Sequence, residues 1–150
     1  MEWIVFIGVA IVVGLLVVLI KRKRGPQDFP TPFGLMTFYR KEAEDLCGSG
    51  FYTGTQAYHR DTDVKLRPLF LDAMQRSFAL IGYCLRMDGM MNWPRAENQA
   101  QYIELRRRYA TERLELDALF KKIGCMGFVS TPEETKQLAD MMTNPAKTAP

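Results

Sequence analysis

Trp3-Ile-Val-Phe-Ile-Gly-Val-Ala-Ile-Val-Val-Gly-Leu-Leu-Val-Val-Leu-Ile20 runs without a charge into Lys21-Arg22-Lys23-Arg24, and Gly25-Pro26 follows. At 1.5 Å per residue, a helix of this length covers roughly 27 Å, about the thickness of a bilayer's hydrocarbon core. In lipid the backbone must satisfy its own hydrogen bonds, so a single apolar segment has to be helical there. A removable export signal carries its cations before the apolar run. Here Glu2 precedes and the cations follow, which is the order of a stop-transfer anchor. A core helix in water is seldom apolar on every face. The stretch therefore predicts a single-pass membrane helix over residues 1–24, with Trp3 at one interface. Lys21, Arg22, Lys23 and Arg24 form its cytoplasmic flank, in contact with anionic headgroups. The N-terminus is expected outside and the rest of the chain in the cytoplasm, most naturally at a bacterial inner membrane. Ala10 and Gly14, four residues apart, form a small-xxx-small face through which two such helices can approach.

The anchor also explains the charge. The chain of 150 residues carries 20 Lys and Arg against 17 Asp and Glu, with a pI of about 8.8. Without Glu2 and the four flanking cations, acids and bases balance, so the pI carries no expectation of nucleic-acid binding. Cys47, Cys84 and Cys125 are widely spaced and odd in number. That pattern fits neither a disulfide framework nor a zinc site and predicts reduced thiols.

Residues 25–34 hold Pro26, Pro30 and Pro32 and read as a semi-rigid linker, with Phe29 and Phe33 available to dock. Beyond it the periodicity is helical throughout, and an all-α domain over 35–142 is expected: a small bundle of about four helices. Leu35, Phe38, Tyr39 and Leu46 predict a first helix stopped by Gly48 and Gly50. Residues 51–62 read as an irregular loop. Leu66, Leu69, Phe70, Ala73, Met74, Phe78, Ile81, Cys84 and Leu85 predict a second helix from Val64 or Pro68 to Met87, with Pro68 in its first turn. Asn92-Trp-Pro94 opens a third, which runs to Ile123 and stops at Gly124. Tyr102, Leu105, Tyr109, Leu116, Phe120 and Ile123 mark its apolar side, and Glu104 is placed to pair with Arg108. Thr131-Pro-Glu-Glu134 is a capping box with proline at the first helical position, predicting a short fourth helix to Met142. Residues 143–150 read as a tail.

Chemistry-bearing motifs are sparse. No stretch matches a known family closely enough to carry functional residues across. His59-Arg60-Asp61 matches part of a kinase catalytic loop, but Leu66 stands where that loop needs Asn, and its Gly-rich and metal-binding partners are absent. His59, Asp61 and Asp63 alternate along the chain and could converge on a metal only in an extended segment. Asp61 or Asp63 capping the next helix is the plainer expectation. Arg106-Arg107-Arg108 fans out over about 200° of a helix and cannot form one stripe.

The functional expectation is an interaction protein: an adaptor, scaffold or accessory subunit of a membrane complex. Met90, Met91, Trp93, Arg106 and Tyr109 are its expected partner-binding residues. Its partners are the bilayer and either a membrane protein or a second copy. No cofactor, metal or nucleic acid is expected. The alternative is a membrane-tethered enzyme or metal-dependent regulator working through residues 58–63.

Overall fold

The structure is a computed structural model that describes residues 35–92 and 98–146. The membrane segment, its cationic flank, Ala10, Gly14, the proline linker, Trp93 and residues 147–150 lie outside the described residues. Among the described residues, no helix is long and apolar enough to cross a membrane, and every regular element is helical. They comprise α1 (Leu35–Tyr58), α2 (Arg67–Asn92), α3 (Gln99–Lys122), a 3-10 turn (Met126–Phe128) and α4 (Pro132–Thr143). α1 and α2 form an antiparallel hairpin, α3 packs on α2, and α4 packs on α3.

The first helix corrects the glycine reading. α1 passes through Gly48, Gly50 and Gly54 to Tyr58, absorbing most of the expected loop. Each interior glycine costs about 1 kcal/mol relative to alanine, but here the missing side chains make room for α2. A Cβ on Gly50 would lie 2.9 Å from Phe78 Cζ, and one on Gly54 would lie 2.7 Å from Met74 Sδ. The hydroxyls between them stay within the helix. Ser49 Oγ donates to Leu46 O at 2.9 Å, and Thr53 Oγ1 donates to Ser49 O at 2.7 Å. Ser49 and Ser77 also share a hydrogen bond across the interface at 3.0 Å. Small residues thus bring the α1 and α2 backbones close.

α2 begins where expected, with Asp63 as its leading cap. Asp63 Oδ1 accepts from Lys65 N at 2.9 Å, and its carbonyl accepts from Leu66 N and Arg67 N. It ends later than expected, because the helix continues through Gly89; among the described residues the left-handed glycine is Gly124, with φ 78°. The buried row of α2 is Phe70, Ala73, Ser77, Leu80, Cys84 and Met87. Leu85, expected in the core, faces outward, and Phe78 packs over Gly50 at the edge of the α1–α2 interface and stays 39% exposed.

α3 buries Leu105, Tyr109, Leu116 and Phe120, as its spacing implies, and Ile123 closes the row. It starts at Gln99 instead of Asn92. Its end is a Schellman motif: Gly124 N donates to Lys121 O at 3.3 Å and Cys125 N to Phe120 O at 2.8 Å. The expected capping box opens α4, with Thr131 N on Glu134 Oε2 at 2.8 Å and Glu134 N on Thr131 Oγ1 at 3.2 Å. Leu138 and Met141 then fix α4 to the core.

Candidate functional site

Arg113 projects from the core side of α3, one turn beyond the buried Tyr109. Its stem is buried, so every donor on its guanidinium needs a partner. Nε donates to Glu42 Oε1 of α1 at 2.8 Å, Nη1 to Asp117 Oδ1, and Nη2 to the carbonyl of Phe128 at 3.1 Å. Asp117 Oδ1 also accepts from Ser130 N at 3.1 Å. Glu42, Arg113 and Asp117 are each less than a tenth exposed. One arginine therefore ties α1, α3 and the α3–α4 connection together by charge-assisted bonds.

Above this network lies a cleft of about 360 Å³. Glu42, Glu44, Asp45 and Leu46 of α1 form one wall; Phe128, Val129, Thr131 and Glu134 form the other; Arg113 is at the floor. Beside this cleft is an aromatic step, with the Tyr52 ring 5.2 Å from Phe128 and Phe128 5.6 Å from Phe120. Met126, on the same 3-10 turn as Phe128, is 61% exposed. The arrangement offers an apolar rim, acidic walls and an ion-paired floor whose three arginine nitrogens are already occupied. It is suited to holding a polar or cationic segment of another chain and contains no nucleophile–base pair.

Two of the thiols, Cys84 and Cys125, are held in the neutral form. Burial pushes the Cys84 thiol up to about 12, with Glu42 and Asp88 adding to the effect, and burial also raises Cys125. A neutral thiol is a poor nucleophile. All three cysteines are free. Tyr109, fully buried beside Glu42 and Cys84, has its hydroxyl held well above the usual range, chiefly by burial.

The loop expected to carry the alternative chemistry does not assemble a site. His59 is exposed and its Nδ1 accepts from Asp61 N at 3.4 Å, while the Asp63 carboxylate is used in the cap. No group of three or more His, Cys, Asp or Glu side chains converges as metal ligands among the described residues. The chain is not extended there, so alternation does not align the three side chains.

Two expected partner-binding residues are in the interior. Tyr109 is fully buried against Tyr39, their rings edge to face at 6.1 Å. Arg106 is 1% exposed; its Nη1 donates to Pro145 O at 3.1 Å, and its guanidinium carbon lies 5.8 Å from the centre of the Tyr102 ring. The segment after α4 covers it, which α3's own pattern does not reveal. Met90 is half-buried against the core, Met91 lies in the last turn of α2, and Met87, from the same methionine-rich stretch, is fully buried.

The arginine run fans out as its helical geometry requires. Arg107 and Arg108 both grip Glu104, Arg108 Nε at 2.7 Å. Glu42, Arg113 and Asp117 were missed as site residues, although a signal existed. Arg113 fills the empty place between Tyr109 and Leu116 in the apolar row of α3, and Glu42 fills the place between Tyr39 and Leu46 in α1. Comparison of the chain with protein-family models, with curated proteins and with solved structures finds no match in any of the three.

Proposed function

We propose that the protein is a single-pass, membrane-anchored interaction protein whose helical domain docks a membrane-protein partner. It would serve as an adaptor, scaffold or accessory subunit. The observation that carries the interaction reading is the cleft between α1 and the α3–α4 connection, with Tyr52 packed on its lining residue Phe128 and exposed Met126 next in sequence to its lining residue Gly127. The membrane placement rests on Trp3–Ile20 and on Lys21, Arg22, Lys23 and Arg24 after it. In this reading the flank stays on the cytoplasmic side of a bacterial inner membrane, and Ala10 and Gly14 line a helix contact within the bilayer. In the same reading Met90, Met91 and Trp93 contribute adaptable apolar side chains to partner binding. Confinement to the bilayer raises the domain's effective concentration near membrane partners without any new contact.

The test is capture at native expression level. Tagged chain is solubilised in mild detergent, and co-purifying proteins are identified for the intact chain, a chain lacking residues 1–24, and Met126→Glu. Alkaline extraction of membranes reports the anchor independently. The reading requires a defined membrane protein that is captured by the intact chain and reduced by Met126→Glu. Capture unchanged by that variant would move the docking surface elsewhere. Alkaline release of the intact chain would remove the anchor.

A further inference from the structure

The α1–α2 hairpin has an outer face that the bundle leaves bare. Phe51 is 67% exposed, Tyr58 78%, Phe78 39% and Leu85 63%. Phe51 and Tyr58 are seven residues apart on α1, and Phe78 and Leu85 are seven apart on α2, so each pair shares a helix face. The rows meet where Phe51 and Phe78 pack edge to face at 5.6 Å. Because the helices are antiparallel, Tyr58 lies about 10 Å to one side of this pair and Leu85 about 10 Å to the other. The four side chains form one continuous stripe.

We infer that this stripe is the interface through which two copies of the chain associate, by a twofold axis through the Phe51–Phe78 pair. Three observations point to a second copy. First, the stripe is disposed evenly about its centre, so a twofold axis lays the Tyr58 end of one copy over the Leu85 end of the other. Both ends are satisfied by one operation, as an isologous contact requires. Second, Gly82 lies between Phe78 and Leu85 on the same helix face, and a Cβ placed there meets nothing within 4 Å. Gly50 and Gly54 make room for side chains of α2; Gly82 makes room for nothing among the described residues. It leaves a notch beside Leu85 where the partner's Tyr58 ring fits. Third, the exposed fractions correspond to roughly 500 Å² of apolar surface on a scale of 150–250 Å² per aromatic side chain. That is near the upper end for a monomer's largest patch. With flanking atoms it approaches the roughly 800 Å² per partner of a standard interface. Two such hairpins face to face make a four-helix arrangement. This inference goes beyond the docking cleft, uses a different face, and does not depend on the membrane placement.

The test uses the full chain in mild detergent, with mass measured by light scattering across a concentration series. A dimer is expected, and Phe51→Glu should raise its dissociation constant by about tenfold or more. Phe51 is exposed, so helical content by circular dichroism should be unchanged. Gly82→Leu, which fills the notch, should weaken the dimer in the same way. A Tyr58→Cys chain mixed with a Leu85→Cys chain should cross-link to each other under mild oxidation, and a Lys136→Cys chain should cross-link to neither. A monomer at every concentration would overturn the inference. So would a dimer that resists Phe51→Glu but is lost with Gly14→Leu, which assigns association to the membrane segment. Loss of vesicle binding by Phe51→Glu without loss of dimer would assign the face to lipid and also overturn it. Phe51→Glu should leave partner capture and alkaline extraction unchanged, so this inference and the proposed function fail separately.

Discussion

Replacing Arg113 with methionine removes the one cation that two buried carboxylates share. The variant keeps most of the stem's packing but leaves Glu42 and Asp117 in a site where each is less than a tenth exposed. It also strips a donor from Phe128 O. Removing one partner of a buried ion pair costs about 3–5 kcal/mol, because the remaining charge is left uncompensated. Against the 5–15 kcal/mol that holds a typical domain, this is a large fraction. At about 4 °C per kcal/mol, where the ranges for smaller and larger domains meet, Tm should fall by about 12–20 °C. The assay is thermal or urea unfolding of the full chain in mild detergent, followed by circular dichroism. Adding Glu42→Gln and Asp117→Asn to Arg113→Met should recover more than half of the loss, because the unpaired charges are gone. A loss below about 1 kcal/mol, or a triple variant no more stable than Arg113→Met, would refute the claim that charge compensation holds this floor together.

Further expectations test other parts of the fold. Gly54→Leu should destabilise by about 1–3 kcal/mol through overpacking against Met74, whereas Gly48→Ala, with open space around it, should stabilise by about 0.4–1 kcal/mol in the same urea titration. Cys84, fully buried with its thiol pushed up to about 12, should resist alkylation at pH 8 while the half-buried Cys47 reacts, as peptide mapping will show. Hydrogen bonds from Arg107 and then Arg108 lower Glu104 to about 2. Its carboxylate should remain ionised at pH 3 in a carbon-detected NMR titration. Its favourable interaction is present above the ordinary carboxylate range and lost as pH falls through about 2. The pair is exposed, so salt should shift the titration upward.

What was legible in the sequence was chiefly what is encoded locally. The capping box at Thr131 and Glu134 and the stop at Gly124 each depend on a few neighbouring residues, and both are found. Gly48 and Gly50 look locally like the same kind of stop, yet α1 runs through them, because Phe78 and Met74 on another helix occupy the space above Gly50 and Gly54. No local rule tells a glycine that ends a helix from one that admits a neighbour. The cleft was illegible for a related reason. Glu42 and Arg113 are 71 residues apart, and each alone reads as an ordinary surface charge. Only as matching gaps in two apolar rows do they point to each other. Arg106 shows the converse, since its burial comes from the chain after α4 and not from α3.

Arg113 also fixes the width of the cleft. It holds α1 through Glu42 and the opposite wall through Phe128 O, while Asp117 binds both the arginine and Ser130 N. Spreading the walls by an ångström would stretch several charge-assisted bonds together, and closing them would drive buried carboxylates into contact. The cleft therefore works as a calliper with a locked jaw. A segment docking there, as proposed above, would be accepted or refused on its girth, with no binding energy lost in prising the walls apart.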